Sequence, residues 1–326
     1  MTDKKPKLFS TFELREETQD YLSDKFKFDH WTEKGNIPQE KLIEKARDVE
    51  VLLCFALDNI NKELIEKSNS MKVISTRTAG YDHIDIDSAY ENNIKVTKVS
   101  EPITEGVAET TLGLMLSLGR GIHQANNYMR NEKWKMKEVW KNPWKIRILK
   151  NKVAGIAGMG AIGKRITELL DSLGMEILYY NRSRKEDIEE KHSAEYVNLE
   201  ELSVRSDYVI SALPLTEETK HTFDEEVFQK MKEFSTFINI SRGGLVDTKA
   251  LLKALNEGWI KNAAIDVYEE EPLPQDSELF EIEEDKLLLT PHMAGLSIET
   301  GKYAGLEAAK NAYKVLQGEE IENLVK

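Results

Sequence analysis

The run Gly158-Met159-Gly160-Ala161-Ile162-Gly163 constrains the fold of this chain more than any other stretch. It directly follows a strand-like apolar segment, Val153–Ala157, and opens an apolar-periodic segment from Ala161 to Leu173. Strand, glycine turn and helix in that order are the context in which G-x-G-x-x-G binds a dinucleotide. The first glycine permits the tight turn, the second lets backbone approach a pyrophosphate, and the third lets the helix pack closely on the strand. The phosphates then meet unpaired N–H groups and the positive end of a helix. All six residues are candidate cofactor contacts.

The end of the next strand selects the cofactor. Met175–Tyr180 reads as that strand, and Asn181-Arg182-Ser183-Arg184-Lys185 follows it. A site for NAD usually carries Asp or Glu here, accepting hydrogen bonds from the ribose hydroxyls. This chain has no carboxylate there to repel a 2′-phosphate, and guanidinium groups match phosphate geometry. Each charge-assisted hydrogen bond contributes roughly 1.5–3 kcal/mol. Asn181, Arg182, Ser183 and Arg184 therefore predict NADP(H) over NAD(H), with NAD(H) the alternative. The competing reading is a solvated basic loop that tolerates either.

A length of 326 residues suggests two domains. No run approaches the ~18 apolar residues of a membrane span. The charged start lacks the apolar stretch of a signal peptide, and the sole cysteine, Cys54, lies in an apolar run and has no internal disulfide partner. A cytoplasmic protein without a membrane partner is expected. The net charge of −13 argues against nucleic acid as a partner. The local exception is 131–150, where Lys133, Lys135, Lys137, Lys141, Lys145, Arg147 and Lys150 alternate with Trp134, Trp140 and Trp144. These tryptophans are expected to pack on another part of the protein or on a second subunit rather than on single-stranded nucleic acid.

Strand-like runs recur at Leu8–Thr11, Val49–Phe55, Met71–Thr76, Ile94–Val99, Val153–Ala157, Met175–Tyr180, Tyr208–Leu213, Thr236–Ile240, Ala263–Val267 and Lys286–Thr290. Helical patterns lie between most of them, including Gln39–Ala46, Ile103–Leu118, Ala161–Leu173, Glu225–Lys232 and Thr248–Glu257. Such alternation implies α/β architecture with doubly wound parallel sheets. The glycine run sits far from the N-terminus, and a helix at about Ser297–Leu316 follows the last strand. The chain therefore reads as a dinucleotide-binding domain, 101–291, inserted into a substrate domain made of 1–100 and 292–326. The terminal helix could pack on either domain.

In an open parallel sheet, ligands bind beyond the carboxyl ends of the strands. Six segments follow the apolar runs of the second domain: the glycine loop, Asn181-Arg182-Ser183, Pro214-Leu215-Thr216, Ser241-Arg242-Gly243-Gly244, Tyr268-Glu269-Glu270-Glu271-Pro272 and Pro291-His292. A guanidinium, a carboxylate and an imidazole then share a rim with the dinucleotide. That set suits hydride transfer to a 2-keto acid. Arg242 would hold the substrate carboxylate and polarise the keto oxygen. His292 would donate a proton to that oxygen, as imidazole can near neutrality. Glu271 would accept the other imidazole N–H, although Glu269 and Glu270 compete for that role. His30, His83, His123, His192 and His221 follow no apolar strand of this domain, and no metal-ligand spacing occurs, so no metal site is expected. Phe55, Ala56 and Leu57, after the run Val49–Cys54, are candidates to line the substrate side chain or simply to pack the core.

Nearly the whole chain resembles the D-2-hydroxyacid dehydrogenase family. Thr78-Ala79-Gly80-Tyr81-Asp82-His83-Ile84-Asp85 is similar to its substrate-loop signature, and Val107-Ala108-Glu109 to its connecting-helix motif. Met231–Asp247, centred on Ile238-Asn239-Ile240-Ser241-Arg242-Gly243-Gly244, resembles its long signature, and Thr290-Pro291-His292 its proton-donor motif. The resemblance implies two Rossmann-like domains, the first flavodoxin-like. It implies that backbone N–H groups of Ala79 and Gly80 bind the substrate carboxylate. It also selects Glu271, which immediately precedes a proline, as the glutamate partner of His292. Together with the edge argument it adds Leu213, Pro214, Thr219, Ile240, Ser241, Arg242, Asp266, His292 and Gly295 to the candidate cofactor contacts.

Within the family, Asn-Arg-Ser after the second strand looks most like the NADP(H)-preferring glyoxylate and hydroxypyruvate reductases. Ala294-Gly295 departs from the Gly-Ser often found there in glyoxylate reductases, which leaves the substrate open. The end soon after the last helix implies no C-terminal regulatory domain of the phosphoglycerate dehydrogenase kind. The tryptophan segment occupies the place of a dimer-forming arm, so a homodimer is expected. The leading expectation is NADPH-dependent reduction of a small 2-keto acid. The alternatives are oxidation of D-3-phosphoglycerate, D-lactate or phosphite on the same scaffold, or a non-catalytic dinucleotide-sensing protein of corepressor type.

Overall fold

A computed structural model describes residues 5–101, 103–131 and 134–325; Lys133 lies outside them. The chain forms two compact units, Met1–Thr104 with Leu296–Lys326, and Glu105–Gly295. The limits 101–291 are thus displaced to 105–295, and His292 belongs to the second unit. Local bonds explain the shift. Thr104 N–H donates to Ser100 O at 2.9 Å in the first unit, whereas the Glu105 carboxylate pairs with Arg165 of the second at 2.7 and 2.8 Å. At the other crossing, the N–H groups of Met293 and Ala294 bind the Asp266 carboxylate.

The first unit is built on five parallel strands, β1 (Lys7–Ser10), β2 (Lys27–His30), β3 (Val51–Cys54), β4 (Val73–Thr76) and β5 (Lys95–Thr97). Their order is β2-β1-β3-β4-β5, the flavodoxin-like winding. β3 and β4 are buried along their whole length, as central strands covered on both faces must be. The helix Ile298–Leu316 packs on this unit. Ser297 caps it by accepting Thr300 N–H at 2.8 Å. Its buried alanines, Ala304, Ala308, Ala309 and Ala312, allow close approach to the sheet, where the Ser75 hydroxyl donates to Ala308 O at 2.8 Å.

The second unit has seven parallel strands, β6 (Val153–Ala157), β7 (Glu176–Tyr180), β8 (Glu195–Tyr196), β9 (Tyr208–Ser211), β10 (Thr236–Asn239), β11 (Asn262–Ile265) and β12 (Leu287–Leu289), in the order β12-β11-β10-β9-β6-β7-β8. The doubly wound α/β expectation is borne out. On one face Phe237 packs Phe223 and Phe228, with ring centroids 4.9 and 5.1 Å away. Full burial of such a side chain contributes about 1.5–3 kcal/mol. The strand order reverses between β6 and β9, which puts the glycine loop at the topological switch point. Among the described residues no helix is long and apolar enough to cross a membrane.

Candidate active site

Strand register defines the edge. Ala157 pairs with Tyr180 and with Ser211, Ser211 with Asn239, Asn239 with Ile265, and Ile265 with Leu289. The last residues of six strands therefore form one line, and the segments that follow them emerge on one edge.

The glycine loop fits a dinucleotide. Gly158 has φ +106, and a Cβ there would lie 2.3 Å from Ala212 O, so no side chain is tolerated. Gly160 caps the helix Ala161–Ser172 with no side-chain hydrogen bond, and nothing lies within 4 Å of a Cβ built on it. The first turn of the helix thus presents open N–H donors and room for a phosphate. Ala161 is exposed, Ile162 half-buried and Gly163 buried. Asn181 joins this loop to the next one: its Oδ1 accepts Met159 N–H at 3.2 Å and its Nδ2 donates to Ser183 O at 2.7 Å.

The basic segment differs from expectation. Arg184 forks onto Glu189, with Nε 2.8 Å from Oε1 and Nη2 2.6 Å from Oε2, and this pairing lowers the Glu189 carboxyl. Tyr179 also donates to Glu189 Oε1 at 2.6 Å, and burial together with that carboxylate raises its phenol to about 12. Arg184 is therefore already committed to a carboxylate, because Glu189 lies one helical turn into the helix Glu186–His192. Arg182 and Ser183 are exposed, and among the described residues Arg182 has no carboxylate within 4.0 Å.

Three loops lock together at the other half of the edge. After β10, Asn239 accepts Ser241 N–H at 3.2 Å and donates to Arg242 O at 2.9 Å, and the Ser241 hydroxyl donates to Leu213 O at 2.5 Å. Arg242 Nη1 donates to Ser241 O at 2.8 Å. Gly243 is buried, and a Cβ there would lie 1.9 Å from the carbonyl carbon of Tyr268. The arginine loop thus abuts the glutamate loop backbone to backbone. Glu271 Oε1 accepts Tyr268 N–H at 2.9 Å, and its Oε2 meets His292 Nδ1 at 2.6 Å. The structure thus pairs His292 with Glu271 out of the three glutamates. Glu269 instead meets His221 Nε2 at 2.9 Å and accepts the Thr248 hydroxyl at 2.5 Å.

His292 adopts a left-handed backbone, φ 49, a conformation that costs a non-glycine residue about 1–3 kcal/mol unless its surroundings hold it. Asp266 supplies the hold. Its carboxylate accepts the Thr290 hydroxyl at 2.6 Å and the N–H groups of Met293 and Ala294 at 2.9 and 2.8 Å. Asp266 is 0% exposed. Both of its oxygens accept hydrogen bonds from the loop that carries His292, which makes Asp266 a support of that loop. Tyr268 adds a further tie by donating to Thr290 O at 2.8 Å, and burial, followed by the nearby Asp266 and Glu271 carboxylates, raises it to about 12. The sequence reading gave Tyr268 no role, although its place directly beyond a central strand marked it.

Of the remaining candidates, Leu213 and Ile240 are buried beneath the edge, Pro214 is exposed and Gly295 is half-buried. The Thr219 hydroxyl is spent on closing its own turn, donating to Pro214 O at 2.6 Å and accepting Thr216 N–H at 2.7 Å. Ala79 and Gly80 follow β4 in the first unit, where the Thr78 hydroxyl donates to Gly80 O at 2.8 Å. Trp144 packs edge-on against Tyr128 at 5.7 Å within the second unit, while Trp134 and Trp140 are 59% and 81% exposed.

A parallel sheet with a glycine loop at its switch point and an imidazole–carboxylate pair on the same edge defines a nucleotide-dependent dehydrogenase. Residues 112–294 match the family described as D-isomer specific 2-hydroxyacid dehydrogenase, NAD binding domain, and the chain belongs to that family of NAD(P)-dependent enzymes, which interconvert 2-keto and D-2-hydroxy acids. It is 37% identical to a glyoxylate reductase of Pyrococcus furiosus over 323 residues, 98% of this chain and 95% of that one. Among solved structures, a protein from Pyrococcus horikoshii OT3 matches with a TM-score of 0.90 at 37% identity, covering 99% of this chain and 96% of that one. A D-lactate dehydrogenase from Aquifex aeolicus, solved with NAD and lactic acid, matches with a TM-score of 0.81 at 28% identity over 96% of each chain.

Proposed function

We propose that this enzyme reduces a small 2-keto acid of the glyoxylate or hydroxypyruvate type to the D-2-hydroxy acid, with NADPH preferred over NADH. The observation that carries the reading is the 2.6 Å His292–Glu271 contact on the edge that also bears the glycine loop. The nicotinamide dinucleotide, when bound, supplies hydride to the keto carbon. Arg242 clamps the substrate carboxylate, aided by the N–H groups of Ala79 and Gly80. Glu271 accepts Nδ1–H, which fixes the ring and leaves Nε2 to give its proton to the keto oxygen.

The identity with glyoxylate reductases supports the substrate class. The NADPH preference rests on Asn181 in place of an acid and on exposed Arg182 and Ser183, Arg184 being engaged by Glu189. Glyoxylate, hydroxypyruvate and pyruvate should each be assayed with NADPH and NADH by loss of the nicotinamide absorbance. Arg182→Ala should raise KM for NADPH about tenfold or more, the scale of one charge-assisted bond, and barely move KM for NADH. Equal shifts would defeat the cofactor assignment, and no oxidation of either cofactor by any of these acids would defeat the enzyme reading.

We also read the protein as a cytoplasmic homodimer. The exposed apolar set Ile122, Met129, Trp134, Met136, Trp140 and Ile148 supports the pairing. A monomeric mass by light scattering would contradict it.

A further inference from the structure

A second cationic group stands on the carboxyl edge of the first sheet. Ser10 pairs with Leu53, and Cys54 with Thr76, so Phe12, Phe55 and Arg77 leave β1, β3 and β4 on one side. The Arg77 guanidinium is sandwiched between two rings, 4.4 Å from the centroid of Phe12 and 4.3 Å from that of Phe55. Two aromatic faces hold a planar guanidinium in place and strip part of its hydration. Among the described residues no carboxylate lies within 4.0 Å of it, and no acceptor takes a hydrogen bond from its side chain. Arg77 is half-buried, so its guanidinium keeps part of its contact with solvent. Asp58, the acid whose field reaches Arg77, is already engaged: its Oδ2 accepts the Thr11 hydroxyl at 2.5 Å and Phe55 N–H at 2.6 Å. A desolvated, fixed cation with open donors is an anion site in waiting.

Arg77 lies two residues before Ala79. Two residues of extended chain separate the two Cα atoms by at most about 7 Å, so both positions lie within the neighbourhood of one small ligand. We propose that Arg77 is a specificity-determining residue that binds a second anionic group at the far end of the substrate side chain, so that the accepted 2-keto acids include those with a distal carboxylate or phosphate. This extends the substrate class of the keto-acid reductase reading above and rests on it.

The test compares oxaloacetate and 3-phosphohydroxypyruvate with pyruvate, using the wild-type enzyme, Arg77→Met and Arg77→Lys. With Arg77→Met, kcat/KM for a dianion should fall, through KM, about tenfold to a hundredfold more than for pyruvate, the range of one charge-assisted contact. Arg77→Lys should fall between, because it keeps the charge without the fork. The two dianions separate a carboxylate site from a phosphate site. Equal losses on all three acids would reassign Arg77 to propping Phe12 and Phe55, and would overturn the proposal. So would a wild-type enzyme that reduces pyruvate more efficiently than both dianions, a result that needs no variant to fold. If the wild type reduces no 2-keto acid with either cofactor, the enzyme reading itself fails and this proposal falls with it.

Discussion

The run Glu269-Glu270-Glu271 feeds two histidine–carboxylate pairs that look alike. Glu271 meets His292 at 2.6 Å, and Glu269 meets His221 at 2.9 Å. Both histidines are left-handed, at φ 49 and 51, and their side chains are 43% and 40% exposed. What separates them is their surroundings. His292 follows β12 on the edge aligned with the glycine loop, and buried Asp266 grips the residues on either side of it. It uses Nδ1 for the carboxylate, which in the proposed mechanism leaves Nε2 for the substrate. His221 spends Nε2 on Glu269, which is also bound to Thr248 at the start of the helix Thr248–Glu257. That second pair ties a turn to a helix. An imidazole–carboxylate contact is thus no signature by itself; its place on the sheet edge decides its use.

The comparison can be broken most decisively by substituting the two histidines in parallel. His292→Asn should lower kcat by about 10²–10⁴, the value of a placed general acid, while NADPH still binds. His221→Asn should leave kcat within about twofold and cost under about 1 kcal/mol of stability, as exposed pairs do. Similar losses of turnover from both would end the distinction. Asp266→Asn comes next. An amide nitrogen cannot accept from the donors Asp266 now satisfies, so the loop should lose about 1–3 kcal/mol, read as a lowered urea midpoint, and kcat should fall more than KM rises. An unchanged midpoint would remove Asp266 as the support of His292.

The smallest expected effect concerns an acid outside both pairs. Burial raises the Asp207 carboxyl, but Val153 N–H at 3.0 Å and Arg147 at 2.7 Å more than offset this, so it is lowered overall. Its stabilisation is therefore full above the unfolded value of about 3.9 and is lost as pH falls through the lower folded one. Asp207→Asn should be less stable near neutrality and lose less on acidification below about pH 4. Parallel acid-unfolding curves would refute this.

Central strands were legible because a parallel sheet covered on both faces needs unbroken apolar runs. The edge strands β2 (Lys-Phe-Asp-His) and β8 (Glu-Tyr) were not, since an edge needs neither length nor continuous apolarity. The rim residues Arg242, Glu271 and His292 could be read from their places after those runs. Their supports could not. Asp266 reads in sequence as one more polar residue beyond a strand, and only burial shows that its oxygens are already taken. Arg184 reads as a free cation until the following helix brings Glu189 against it. Choosing among three glutamates from the residues alone was likewise out of reach, because the distinction lies in which carboxylate the histidine loop meets.

The most direct test of the proposed chemistry is a crystal structure with NADPH and oxamate, an unreactive analogue of a 2-keto acid. The pyrophosphate should lie over Gly158–Gly163, the oxamate carboxylate on Arg242, and the oxygen that mimics the keto group within hydrogen-bond reach of His292 Nε2. Oxamate seated away from Arg242 and His292, with both side chains unengaged, would contradict the assignment of this edge as the catalytic centre.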